Sequence, residues 1–243
     1  MSEQTSVPAN KYKHLTAVVP VYNERNTVGE VVRRLRALDL PEGMDLEVII
    51  VDDGSTDGTD KVLATVEDST VRVVRHAVNQ GKGAALRSGI EAARGQLILT
   101  LDADLEYSPD ELPRLLRPIL EGRATVVFGS RFHPDREVMS LVRLLGGRGV
   151  SLVTDVLFNT TLRDVKTGYR LYDADVLRSI TIENDGFAGE SEITAKLLRN
   201  KHRIFEVAVT YRQPEGDNGQ KFTSRDNLQA LAAIVKYRFA KVS

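Results

Sequence analysis

Three short polar clusters carry most of the chemistry available to this chain: Tyr22-Asn23-Glu24, Asp52-Asp53 and Asp102-Ala103-Asp104. Each follows an apolar run that reads as a buried strand, so all three fall at one edge of a sheet. Five carboxylates gathered there repel one another unless a cation, or a ligand rich in hydrogen-bond donors, lies among them. Asp102 and Asp104 flank a small residue. Side chains two apart in an extended segment point the same way, and Ala103 leaves room for a ligand to approach. Two such carboxylates, completed by diphosphate oxygens, form a hard oxygen shell suited to Mg2+ or Mn2+. The competing reading is that both aspartates cap the next helix, but Ser108-Pro109-Asp110-Glu111 is the better helix start. Glu106 is either a third ligand, direct or through water, or an exposed loop glutamate.

Asn79-Gln80-Gly81-Lys82-Gly83 is the second segment of interest. It does not satisfy G-x-x-x-x-G-K-[ST], which excludes a P-loop. It shares G-x-G with dinucleotide folds, but Leu86 stands where the third glycine belongs, and the segment follows the third strand rather than the first. A tight turn into a helix explains the same residues. The four histidines, His14, His76, His133 and His202, are scattered and suggest no metal cluster.

The elements that must position these groups read clearly in the first half. Apolar runs at 15–21, 46–51, 71–75 and 97–101 are strands. Between them lie a helix with Val28, Val31, Val32, Leu35 and Leu38 on one face, a short helix over 60–66, and one from the glycine segment through Ala93. Continuous apolar strands alternating with amphipathic helices predict an α/β fold, a Rossmann-like and mostly parallel sheet covered by helices on both faces. In such sheets ligands bind at the carboxyl ends of the strands. The second half is less regular: a strand at 125–128, a helical stretch over 140–162, a strand at 204–211 and a closing helix over 224–239.

The whole chain of 243 residues, 42% hydrophobic and 28% charged, is ordinary for a globular protein and excludes collagen, coiled coil and wholesale disorder. Thirty-three basic against 34 acidic side chains argue against a generally basic nucleic-acid binder. Without cysteine there is no disulfide, zinc–cysteine site or thiol nucleophile, and a reducing cytoplasm is permitted. No stretch approaches the roughly 18–20 apolar residues that span a bilayer. Residues 1–13 read as a flexible lead-in and 14–243 as a single domain, with no repeat or linker.

Taken together, VVPVYNERNTVGEVV, VIIVDDGSTDGT, NQGKGAALRSGIEAARG, LILTLDADLEYSPDEL, VVFGSRF, DVKTGYRLYDADVLRSI and FAGESEITAKLL resemble the family 2 glycosyltransferases of the GT-A fold. The resemblance spans about residues 15 to 240 and is closest to the dolichyl- and polyprenyl-phosphate sugar synthases and their bacterial relatives. It implies an inverting, metal-dependent transfer of a sugar from a UDP- or GDP-sugar to a polyprenyl phosphate. Transfer to a soluble hydroxyl acceptor is the alternative. Pro20, Tyr22, Glu24, Asp52 or Asp53, Lys82 and Ala103 would line the nucleotide-sugar site, and Asp102, Asp104 and Glu106 the metal. Pro20 as a turn residue and Asp57 as a helix cap remain ordinary structural readings. Arg131 would face the phosphates.

Arg212, Lys221 and Arg225 would close over the site, although the loop 213–218 is longer and more acidic than the family's pattern and Ser224 replaces an aromatic. Surface salt bridges are the competing reading for all three. A phosphate-monoester acceptor is largely ionised at neutral pH and needs no strong base. A hydroxyl acceptor does, and the candidates are Asp164, otherwise a turn acid, and Glu190, otherwise a cap or an arginine partner. The 140–162 segment suits a helix in the membrane interface, a core helix or a contact with a second subunit of a homodimer. The resemblance thus implies a cytoplasmic protein, peripheral at the cytoplasmic face of the membrane.

Overall fold

The computed structural model describes residues 11–132, 141–212 and 224–240. Seven strands form one sheet: β1 (His14–Val21), β2 (Asp45–Asp52), β3 (Val71–Arg75), β4 (Leu97–Thr100), β5 (Val126–Ser130), β6 (Arg170–Asp173) and β7 (Ile204–Ala208). Their order is β3-β2-β1-β4-β6-β5-β7. β6 runs antiparallel to both neighbours, and the other pairings are parallel. Val21 pairs with Asp52 and Asp52 with Arg75, so the polar segments after β1, β2 and β3 leave the sheet at one level.

Strand alternation divides the core. Leu15, Ala17, Val19, Val48, Ile50, Leu97 and Leu99 face α1 (Val28–Arg36) and α4 (Leu112–Leu120), with α2 (Thr59–Val66) beside α1. Val18, Ile49, Val51, Ile98, Val126 and Phe128 face α3 (Lys82–Ala92), α6 (Ala174–Arg178) and α7 (Gly189–Arg199). The outer side of α7 packs on α5 (Leu141–Phe158) and α8 (Ser224–Phe239) through Val150, Ala195, Ala233 and Ile234. The α/β sheet covered on both faces is therefore as its sequence predicts, while β6, α6 and α7 were not anticipated.

Three local expectations change. Ser108 precedes a short 3-10 turn, but its hydroxyl donates to Asp110 (2.8 Å) and caps no backbone N–H. Pro20 lies inside β1 rather than in a turn. The Val18 carbonyl accepts from the Leu101 N–H, so the missing N–H of Pro20 falls on the side that β4 has already left. The third concerns the chain start. Of the expected lead-in, residues 1–10 lie outside the described residues, whereas Tyr12 is buried and donates to Asp173 (2.8 Å). Among the described residues no helix is long and apolar enough to cross a membrane.

Candidate active site

The site is a rim built from the ends of β1, β2 and β4 and the loop that leads into β6. Asn23, in the left-handed region (φ 59°), accepts from the Thr56 N–H (2.8 Å) and ties the loop after β1 to the loop after β2. Glu24 is half-buried and accepts from the Thr27 hydroxyl (2.6 Å). Burial pushes its carboxyl up against the pull of Thr27, and Asp102 and Asp57 add to the rise. Tyr22 is half-buried beside it. Asp57 accepts from both the N–H and the hydroxyl of Thr59 (3.0 and 2.6 Å), the structural role open to it.

The two adjacent aspartates, interchangeable in sequence, separate in the fold. Asp53 is buried, and its carboxylate accepts from the N–H groups of Gln80 (2.9 Å) and Gly81 (2.7 Å) and from His76 Nδ1 (2.6 Å). It organises the glycine segment. Among the described residues Asp52 accepts one such bond, from the Ser55 N–H (3.0 Å) at Oδ1. The glycines of that segment serve close packing. Gly81 has φ 101°, and a Cβ on Gly81 or Gly83 would collide with the carbonyls of Asp185 and Asn184.

Lys82 opens α3 and sets its ammonium 2.7 and 2.9 Å from the two oxygens of Asp102 and 3.2 Å from Glu190 Oε2. Burial opposes the Lys82 charge, but Asp102 and Glu190 outweigh it and hold the ammonium above its ordinary value. Asp102 itself is pushed up by burial despite Lys82, with Asp104 adding to the rise. Gly168 lies so close that a Cβ there would strike the Asp102 carboxylate. Asp104 accepts from the Glu106 N–H (3.0 Å) across Leu105, which is held at φ 61°, a strained conformation for leucine. Burial first, then the Glu106 carboxylate, pushes Asp104 up to about 6. Glu106 is also raised by burial, against a hydrogen bond from Tyr211.

These carboxylates fit a divalent cation. Asp102 and Asp104 are desolvated and each is raised by a neighbouring carboxylate, and a cation would relieve both penalties, taking at Asp102 the place that Lys82 now fills. Among the described residues no three His, Cys, Asp or Glu side chains gather tightly enough to hold an ion alone. A two-carboxylate site completed by ligand phosphates and water is the habit of Mg2+.

Arg131, at the end of β5, donates from Nε and Nη2 to the two oxygens of Asp164 (both 2.8 Å), and its N–H adds a third bond (3.0 Å). The guanidinium also lies over the Tyr211 ring, 5.2 Å from its centre. Asp164 has 1% of its side chain exposed. It is the arginine partner, the part considered for Glu190, and with both oxygens engaged it is badly placed to take a proton. Glu190 Oε1 is buried and has no hydrogen-bond partner among the described residues. Arg212 is exposed, and its N–H donates to the Glu106 carbonyl (2.8 Å). Lys221 and the side chain of Arg225 lie outside the described residues.

Residues 16–181 match the family described as Glycosyl transferase family 2. The chain belongs to that family. It is a glycosyltransferase with the GT-A fold. Undecaprenyl-phosphate mannosyltransferase of Micrococcus luteus is 32% identical over 209 residues, 82% of this chain and 83% of that one. Polyprenol monophosphomannose synthase of Mycolicibacterium smegmatis is 30% identical over 209 residues, 82% and 77% of the two chains. Among solved structures, glucosyl-3-phosphoglycerate synthase from Mycobacterium tuberculosis, crystallised with Mn2+, uridine diphosphate and glucosyl-3-phosphoglycerate, matches with a TM-score of 0.74. It is 21% identical, with 95% of this chain and 82% of that chain covered, a likeness of fold.

Sequence reasoning missed one organiser of this glycosyltransferase. Arg170 is fully buried, and donates to the carbonyls of Thr167 (2.7 Å), Val165 (2.9 Å) and Glu190 (2.9 Å), with its guanidinium over the Phe128 ring. It fastens the loop that carries Asp164 and Gly168 to the first turn of α7, which carries Glu190. Its signal was visible only as the charged start of a short four-residue strand, RLYD, that also ends on an aspartate.

Proposed function

We propose that this enzyme transfers a sugar, with inversion, from a nucleoside-diphosphate sugar to a polyprenyl phosphate. The observation that carries the reading is the locking of Asp164 onto Arg131. It engages both oxygens of Asp164, one of the two candidate bases, and an acceptor already ionised at neutral pH needs no such base. The two relatives named above, an undecaprenyl-phosphate mannosyltransferase and a polyprenol monophosphomannose synthase, support the same acceptor class.

In this reading Tyr22, Glu24 and Asp52 hold the nucleoside, and Asp53 acts through the glycine segment. Asp102 and Asp104 hold Mg2+ or Mn2+, which supplies counter-charge to the donor diphosphate. Lys82 and Arg131 add fixed positive charge where the leaving diphosphate and the acceptor phosphate meet, and both are desolvated enough for that charge to count. Glu106, hydrogen-bonded by Tyr211, is an outer support for Asp104. Arg212, exposed at the edge of the site, is set apart from these phosphate-binding groups.

The lipid would reach the site along α5. That helix buries Val150 but leaves Leu152 and Val156 65% and 76% exposed, an apolar strip open to a bilayer surface. A second reading, transfer to a hydroxyl, is favoured by one observation, the unpartnered Oε1 of Glu190, which is a base in waiting. Labelled UDP- and GDP-sugars offered with polyprenyl phosphate or with soluble hydroxyl acceptors decide between them. Label extracted into organic solvent only with the lipid phosphate supports the first reading, and label confined to a soluble product refutes it. Co-sedimentation with anionic vesicles, lost in Leu152→Asp/Val156→Asp, tests the membrane contact.

A further inference from the structure

His76 follows β3, and its N–H donates to the Asp52 carbonyl (2.9 Å), one residue beyond the strand pairing. The ring is 9% exposed and spans two elements. Nδ1 lies 2.6 Å from Asp53 Oδ1, and Nε2 lies 2.9 Å from the Ser88 hydroxyl in α3. A carboxylate only accepts, so Nδ1 carries the proton and donates. The order Ser–His–Asp resembles a hydrolytic triad, but Ser88 sits within α3, where the neighbouring backbone N–H groups are tied into the helix and cannot hold an oxyanion. The constellation is a clamp.

What it clamps is the turn before Lys82. The same Asp53 carboxylate takes the N–H groups of Gln80 and Gly81, and Gly81 in turn abuts the Asp185 carbonyl. With that turn fixed from both sides, the Lys82 backbone has one position, and its ammonium is delivered to Asp102 and Glu190.

We propose that His76 is a positioning residue: by fixing Asp53 it holds the 79–81 turn so that Lys82 is ready for the donor's phosphates. This rests on the reading that Lys82 serves the donor. Hydrogen exchange and calorimetry with UDP and GDP, each with Mn2+, test the two separately in His76→Leu, His76→Asn and Lys82→Ala. In His76→Leu the Gln80 and Gly81 amides should exchange at least about tenfold faster, with those of β1 unchanged, and nucleotide Kd should rise about 10-fold or more, the effect of one lost charged hydrogen bond.

His76→Asn, whose amide can replace the Nδ1 donor, should restore most of both. Mere loss of stability would lower the active fraction and leave the Kd of the folded protein, and the acceptor KM, where they were. Unchanged Kd in folded His76→Leu, with Kd raised in Lys82→Ala, would overturn the inference alone. Unchanged Kd in Lys82→Ala would overturn the donor reading and the inference with it.

Discussion

Arg170 gives the most exacting test of how this site is held together. Replacing it by methionine keeps most of the volume against Phe128 and removes every donor. The Glu190 carbonyl keeps the Thr194 hydroxyl (2.9 Å), so its loss is partial. The carbonyls of Val165 and Thr167 lose the bonds that Arg170 makes to them. A buried acceptor left without its donor costs about 1–3 kcal/mol, while the guanidinium's own desolvation is relieved, so a net loss of about 2–5 kcal/mol is expected. For a chain of this length each kcal/mol moves Tm by roughly 2–4 °C, so the melt should fall by roughly 4–20 °C. Arg170→Lys should fall between, because one ammonium cannot reach carbonyls on both sides of the loop. The melt by circular dichroism is paired with initial-rate transfer at a temperature where all variants stay folded. There the methionine variant should still be slow, since Glu190 and Gly168 would no longer be held at fixed separation. A melt within about 2 °C of wild type, or full transfer by the folded methionine variant, would refute the argument that this arginine organises the site.

Three further outcomes follow from the same geometry. Asp104, at about 6 against an ordinary 3.8, keeps a proton in the fold that the unfolded chain has released, so metal-free stability falls as pH rises between those values and stays low above them. Asp104→Asn should therefore raise the metal-free Tm at pH 7.5 more than at pH 4.5, by the equivalent of about 1–2 kcal/mol, while abolishing Mn2+-dependent nucleotide binding in calorimetry. Gly83→Ala should destabilise by about 1–3 kcal/mol in a urea melt, because the Asn184 carbonyl has to retreat from the new methyl group. Arg131→Lys loses the two-pronged contact with Asp164, and transfer should drop about 10-fold or more in kcat/KM. A lysine variant with wild-type kinetics would remove Arg131 from the phosphate-binding groups.

How much of this was readable in the sequence depends on where each charge is neutralised. β1, β2 and β4 are continuous apolar runs because both their faces are covered, and α1 shows its buried stripe openly. α7 does not. Glu190, Glu192 and Lys196 are all buried in it, which period analysis takes as solvent-facing. They are tolerated because Lys196 pairs with Glu192 (2.7 Å), and the Glu192 carboxylate accepts from the N–H groups of Glu183 and Asn184. None of these partners except the i,i+4 pair is local. The same limit governs the site. Asp102 and Asp104 are legible as chain neighbours, but β4 ends at Thr100 and a turn, not strand alternation, carries Asp104; Asp53 differs from Asp52 through His76 and the amides 27 and 28 residues further on. His76 looked like one of four unrelated histidines for that reason.

The reversed strand explains why the second half resisted reading and why it matters. Were β6 parallel to its neighbours, the chain would enter it from the opposite edge, and residues 164–168 would lie far from the aspartates. Running antiparallel between β4 and β5, it begins at the rim instead. The turn before it then sets Gly168 against Asp102, Asp164 against Arg131, and the Arg170 donors against the backbone beneath Glu190. A four-residue strand opening with a charged side chain has little propensity of its own. Its pairing on both sides and the buried guanidinium at its start hold it there, so the feature hardest to see in the sequence is the one that joins the Asp102 side of the rim to the Asp164 side.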